Sequence, residues 1–172
     1  MDFLTIARGR RSVRAYKDID VEEDKLQKIL EAARSSPSAS NRQEWKFIVA
    51  KNKDTRKNLA RAAFNQSFVA QAPVVIVACA TEANSVMSCG QPTYTVDVSI
   101  ACTHMILQAY ELGLGTCWLG AFKEDEVKKI LKIPESVRVV TMTPVGYPDQ
   151  PPSQGFRKNL NQIVCFEQYV SD

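Results

Sequence analysis

APVVIVACA, residues 72–80, is the stretch that decides the fold. It carries no charged or amide side chain and is bounded by Gln71 and Thr81. A membrane span needs roughly 20 such residues, so the run is far too short to cross a bilayer. Its near-continuous apolar character, rich in valine, reads as a strand covered on both faces. A strand of that kind needs a layer of helices above and another below. The flanking sequence supplies both. Downstream, EANSVMSCGQPT (82–93) is a polar loop, and Tyr94 to Leu112 reads as a long buried helix carrying Val98, Ala101, Cys102, Met105, Ile106 and Ala109. Gly113 ends it, and LGTCWLGAF (114–122) reads as a strand followed by a glycine turn. Lys123 to Leu131 is a short amphipathic helix stopped by Pro134, and Val137 to Val145 is an apolar strand interrupted by Arg138.

Upstream, Asn52 to Ala63 reads as a charged helix and WKFIVA (45–50) as a strand. SSPSASNRQ (35–43) is a loop by composition. Residues 21–34 form a helix with Leu26, Ile29, Leu30 and Ala33 on one face, and Asp20 with Glu23 reads as its capping box. Asp2 is placed to cap a first helix, Phe3 to Arg8, with Phe3, Leu4 and Ala7 as an apolar stripe. Gly146, Pro148, Pro151 and Pro152 mark a turn-rich exit, and QIVCFEQYV (162–170) ends the chain as an extended piece. That strand either completes the chain's own sheet or adds to a partner's. The order of elements predicts an α+β or α/β domain with helices on both sheet faces, one domain over residues 1–172.

Composition narrows the class of function. The 172 residues hold 22 Lys and Arg against 19 Asp and Glu, a net charge of +3, and 45% are apolar. That is too hydrophobic and too nearly neutral for a disordered chain. The start, MDFLTIARGRRS, lacks a signal-peptide core, which predicts a cytoplasmic protein. Five cysteines form no CxxC and no regular spacing, and there is one histidine. A disulfide framework and a metal site are therefore not expected.

Three segments can carry chemistry. Arg10, Arg11 and Ser12, within the cluster Arg8 to Arg14, put guanidinium groups beside a hydroxyl, a combination suited to a phosphate monoester. Arg157 and Lys158 could converge on the same group; the plain alternative is a solvated loop and a charged tail. The cluster lacks interleaved aromatics, which argues against nucleic acid. In PSASNRQEW (37–45), Ser38, Ser40, Asn41 and Gln43 offer donors and acceptors, or simply connect a helix to a strand. In GLGTCWLG (113–120), glycine-rich backbone could approach a flat ligand. Neither GxGxxG nor GxxxxGK[ST] occurs, and no GxSxG is present. His104 inside an apolar helix reads as a hydrogen-bonded core or interface residue, and Cys89 as the most exposed thiol.

Taken together, RRSVR (10–14), PSASNRQEW, DVSIACTHMILQAYELGLGTCWLGAF (97–122), PVGYP (144–148) and FRKNLNQIV (156–164) resemble, in this order, the motifs of the FMN-dependent nitroreductase family. The resemblance implies a three-layer α/β/α sandwich with a mixed, mostly antiparallel central sheet and a C-terminal strand exchanged in a homodimer. It implies FMN as cofactor and hydride transfer from NAD(P)H through the flavin N5 to an acceptor such as a nitroaromatic or quinone. It also implies no metal, no nucleic acid and no membrane. Arg10, Ser12, Arg157 and Lys158 resemble phosphate contacts, Arg11 a residue near the ring or ribityl chain, and Arg14 a cation near the pyrimidine. Pro37, Ser38, Ala39, Ser40 and Asn41 resemble a loop donated by the other subunit. The Leu119–Gly120 backbone resembles the element that reaches N5, with Cys117 and Trp118 behind the ring. No side-chain acid or base is expected to be catalytic, because the cofactor carries the redox chemistry. Relatives on this scaffold also fragment flavin, dehalogenate or oxidise azolines, and a non-enzymatic flavin-binding protein is the remaining alternative. The sequence departs from the pattern at Ala39, Glu44, His104 and Leu119. With only residues 82–93 available as a cover, the pocket is expected to be more open, or covered by Met87, Cys89 and Tyr94.

Overall fold

A computed structural model describes residues 1–151 and 155–170. Its elements run α1 (Phe3–Gly9), α2 (Glu23–Arg34), β1 (Trp45–Ala50), α3 (Lys53–Ala62), α4 (Ser67–Gln71), β2 (Val74–Ala80), α5 (Thr93–Glu111), β3 (Gly115–Thr116), α6 (Glu124–Leu131) and β4 (Arg138–Gly146). The four strands form one sheet in the order β1-β2-β4-β3. All three strand pairings are antiparallel, and among the described residues the one parallel element is an isolated bridge between Ser12 and Thr116.

β2 is buried along its whole length. Its side chains alternate between two cores, as the period of a strand requires. Val75, Val77 and Cys79 pack with Leu59, Val69 and Val127 from α3, α4 and α6. Val74, Ile76, Ala78 and Ala80 pack with Leu26 and Ile29 of α2 and with Val98, Cys102 and Met105 of α5. The result is the three-layer α+β sandwich that the flanking helices imply. β4 follows β2 in register from Val74↔Val145 to Ala78↔Thr141 and then shifts at Ala78/Cys79. A bulge there increases the local twist.

Local chemistry departs from the sequence expectations at several points. Asp2 caps α1 through the Thr5 amide at 3.2 Å. The residue that α1 buries, however, is Ile6, while Phe3 and Leu4 stay exposed at 70% and 52%. Asp20 and Glu23 form no capping box, because α2 begins at Glu23 with Glu22 as its N-cap and no side-chain cap bond. Lys25 and the Tyr147 hydroxyl engage Glu22 instead. The five-residue α4 was not anticipated, its sequence being too short to show a helical period.

The extended piece expected at 162–170 adds no strand to the chain's own sheet. The described tail holds one short 3₁₀ turn, Leu160–Gln162, and is otherwise irregular. A strand exists only against another edge, and this tail pairs with none of the chain's own strands. Its apolar side chains Phe156, Leu160, Ile163, Phe166 and Tyr169 are all exposed. Pro152, part of the expected turn-rich exit, lies outside the described residues.

Candidate functional site

The segment after α1 is the foundation of the site. Arg10 caps α1, its amide bonded to the Ile6 carbonyl at 3.0 Å. The chain then runs beside β3: Val13 N donates to the Thr116 carbonyl at 2.8 Å, and Ser12 bridges to Thr116. In an extended segment successive side chains face opposite ways. Val13 is accordingly buried, whereas Ser12 and Arg14 are exposed. Val13 lies so close to β3 that a Cβ on Gly115 would meet its side chain at 2.7 Å, which is why a residue without a side chain stands there. Tyr16 is buried and holds the segment from below, donating to the carbonyls of Val13 at 2.8 Å and Pro144 at 3.3 Å. Its hydroxyl pKa is raised, chiefly by burial. Arg11 Nη1 donates to the carbonyls of Arg8 and Arg10, and its Nε is buried without a partner. A cavity of about 130 Å³ opens between Arg10, Arg11, Tyr110, Gly113, Gly115 and Pro148.

The electrostatics of this corner are one-sided. Partial burial lowers the pKa of the Arg10 guanidinium, and the positive charges of Arg157 and Arg11 lower it further. Arg157 therefore lies near Arg10, although the two are far apart in sequence. Among the described residues, none of Arg10, Arg11, Arg14, Arg157 and Lys158 enters an ion pair, while eleven pairs form elsewhere. Lys158 is exposed beside Arg157. Cations crowded without an internal counter-charge favour an external anion, and a phosphate suits forked guanidinium donors. Cys117 faces the same corner. Burial pushes its thiol pKa up, while Arg14, a hydrogen bond with Ser12 and Arg10 pull it down.

The glycine-framed segment that follows alternates as well. Cys117 and Leu119 are buried, whereas Trp118 and Gly120 are exposed. The Trp118 ring folds across Gly120, where an added Cβ would meet Cζ3 at 3.0 Å. Leu119 departs from its expected role. Its N–H donates to the Met142 carbonyl at 2.9 Å and its carbonyl accepts from Met142 N at 3.2 Å. An amide held in that bridge cannot also reach a ligand, so within the Leu119–Gly120 pair the available donor is Gly120.

Pro37, Ser38, Ala39, Ser40 and Asn41 stand apart from the arginines. Ser38 Oγ accepts from Gln43 N at 3.0 Å, and Ser40 and Asn41 are exposed in left-handed conformations with φ of 52° and 55°. The Ala39 amide donates to Asp97, near the start of α5, whereas the arginine corner meets Tyr110, near its end. At 1.5 Å rise per residue those two levels of α5 are about 20 Å apart. A single chain thus brings together Arg10, Arg11, Ser12, Arg14, Cys117 and Arg157 but leaves the 37–41 loop at the other end. Sequence reading passed over Tyr16, Tyr110 and Asp97. The available signal for Asp97 was a lone carboxylate at the head of an otherwise apolar helix.

The fold and this corner define a class: a three-layer α+β domain with a cationic, glycine-lined recess for an anionic ligand. The chain belongs to the nitroreductase family, whose model matches residues 7–88 and 61–147. A protein of Methanothermobacter thermautotrophicus, named provisionally as an NADH dehydrogenase/NAD(P)H nitroreductase, is 36% identical over 88% of this chain and 80% of its own length. A nitroreductase family protein of Clostridium difficile 630 superposes with a TM-score of 0.88 at 32% identity, covering 98% of this chain and all of the other. An FMN-dependent nitroreductase of Clostridium difficile R20291 gives 0.84 at 30% identity over 97% of this chain and 100% of its own.

Proposed function

We infer that the protein is an NAD(P)H-dependent flavin oxidoreductase that uses FMN and works as a homodimer in the cytoplasm. The observation that carries this reading is the arginine corner: half-buried Arg10, crowded by Arg11 and Arg157 and without an internal anion. The recess sets the backbone of Gly113 and Gly115 beside Arg10 and Arg11, whose charge is unmet, a setting that suits the phosphate end of such a cofactor. The FMN-dependent relative and the NAD(P)H nitroreductase relative support the same choice of cofactor and donor. No helix among the described residues is long and apolar enough to cross a membrane, and all five cysteines are free, which suits a reducing compartment.

FMN, when bound, would supply two-electron chemistry between a reduced nicotinamide and an oxidised acceptor such as a nitroaromatic or quinone. The protein's own part is binding and tuning. Arg10, Ser12, Arg157 and Lys158 hold the phosphate through charge-assisted bonds. Arg14, exposed two residues beyond Ser12 on the same side of the extended segment, would place a cation near the negative charge of a reduced flavin. Cys117 and exposed Trp118 would lie behind the ring, and the amide of exposed Gly120 would be the donor open to it. Pro37 to Asn41 come from the second copy, since about 20 Å separates them from the arginines within one chain. The exposed apolar tail, Phe156 to Tyr169, packs on that second copy. One FMN-binding domain spans the chain.

Anaerobic titration of the purified protein with NADH and with NADPH, followed through the flavin absorbance, tests the reading. Bleaching by either nicotinamide, with recovery on adding a quinone, is the expected result. A colourless protein that takes up no FMN overturns it.

A further inference from the structure

Asp97 is an anomaly in the core. It is 6% exposed, sits within the largely apolar α5, and forms no ion pair among the described residues. Burying a carboxylate without a cation is costly unless hydrogen bonds compensate. Here both carboxylate oxygens lie 3.2 Å from one donor, the Ala39 amide. Seven residues along, His104 Nδ1 stands 2.8 Å from the Oγ of buried Ser36, which also bonds the Ala32 carbonyl at 3.1 Å. Positions i and i+7 lie on one face of a helix.

The geometry of the two contacts agrees. Seven residues of helix rise about 10 Å. The three steps from Ser36 to Ala39 also span about 10 Å when extended. Ser38 is extended, with φ −143° and ψ 159°, and Pro37 restricts its own φ. The segment thus lies antiparallel along α5, tied at one end by His104 and at the other by Asp97. Immediately beyond the Asp97 tie the chain enters the left-handed conformations of Ser40 and Asn41, which a non-glycine residue adopts at a cost. Both side chains are exposed there.

We propose that Asp97 and His104 are positioning residues: α5 is the template that holds the 37–41 loop in the shape in which it meets FMN bound by a second copy of the chain. The ligand part rests on the flavin reading above. The positioning itself does not, and the experiment separates them. Asp97→Ala, Asp97→Asn and Ser36→Ala are prepared beside the wild type. Amide hydrogen exchange at residues 38–41 reads the loop, and FMN affinity by fluorescence reads its use. A hydrogen bond to a charged group typically stabilises enough to change an equilibrium about ten- to a hundredfold. Asp97→Ala is therefore expected to speed exchange of the Ala39 amide and to weaken FMN by about that factor. Asp97→Asn keeps a neutral acceptor and is expected to lose less than Asp97→Ala, about five- to tenfold at most by the same magnitudes. Ser36→Ala releases the other end and gives a smaller loss of both, in a variant that leaves the buried carboxylate in place. Unchanged Ala39 exchange in Asp97→Ala overturns the proposal. So does an FMN loss in Asp97→Ala and Asp97→Asn alike that tracks only a common fall in melting temperature. If wild type binds no FMN while the exchange result holds, the flavin reading fails and the loop template stands.

Discussion

Replacing Arg10 and Arg157 together by glutamine should produce effects of opposite sign on ligand affinity and on the stability of the flavin-free protein. In the folded chain these cations repel one another. The Arg10 pKa is lowered first by burial and then by the charge of Arg157, and neither group has an anionic partner among the described residues. Removing both charges removes a repulsion, so the flavin-free melting temperature should hold or rise slightly. Affinity for FMN should fall steeply. Two charge-assisted bonds to phosphate, at about 1.5–3 kcal/mol each, amount to about 3–6 kcal/mol. That is a loss of about two to four decades in affinity. Riboflavin has the same ring and ribityl chain without the phosphate, so its affinity should change by less than about threefold. The assay is fluorescence titration of both ligands against wild type and double variant, at two salt concentrations, since screening weakens exposed charges. Equal losses for FMN and riboflavin would refute the placement of phosphate at this corner. A fall in flavin-free stability would refute the claim that the cluster is held together against its own repulsion.

Gly115→Ala should place a Cβ 2.7 Å from the Val13 side chain and push the Arg10–Arg14 segment off β3. Overpacking of this kind costs about 1–3 kcal/mol, read as a lower melting temperature together with weaker FMN retention. Glu22 has its carboxyl pKa lowered to about 2, first by the Tyr147 hydroxyl, with its own backbone amide and Lys25 contributing. A carboxyl with a depressed folded pKa stabilises fully above its unfolded value of 4.5, and that contribution is lost as pH falls toward about 2. Tyr147→Phe should therefore raise the midpoint of acid unfolding and leave stability near neutral pH less favoured than in wild type; an unshifted acid midpoint would count against the contact. Burial pushes the Cys102 thiol up to about 12 and the Cys79 thiol up to about 11, and both, with Cys117, should resist a thiol reagent until the protein unfolds. Cys89 should react at once. Cys165, exposed in the single chain, should react slowly in the dimer and fast in dilute monomer, provided the tail packs on a second copy.

Much of this molecule was legible in one dimension because its signals are local. The short, valine-rich apolar run at 72–80 reads as a covered strand, and β2 is buried from end to end. The long apolar stretch after Tyr94 became α5, ended by Gly113 at φ 78°. Asp2 caps the helix it precedes through a side-chain bond to the Thr5 amide. The cationic and loop segments carry recognisable residue types in a recognisable order, so the family too was readable from the chain. What failed were features whose outcome depends on a partner. Asp20 and Glu23 look like a capping box, but Glu22 is the N-cap and its carboxylate accepts from Tyr147, distant in sequence, rather than capping the helix. Phe3 and Leu4 look like a core stripe, but the packing of α1 on α5 buries Ile6. The tail reads as a strand for the chain's own sheet or a partner's, and among the described residues it joins no strand of its own chain.

The sequence by itself determined the layers, because periodicity and capping act within a few residues of where they are written. Tertiary structure alone decided which polar groups are spent and which are free. Leu119 and Gly120 are neighbours, yet the bridge to Met142 takes the amide of one and leaves the other. Arg10 and Arg157 are nearly the length of the chain apart, yet their charges act on each other. Asp97 gives no hint in sequence that its carboxylate holds a loop 58 residues earlier. Hydrogen bonds and charge repulsion act over a few ångströms of space, and only folding says which residues come within that distance.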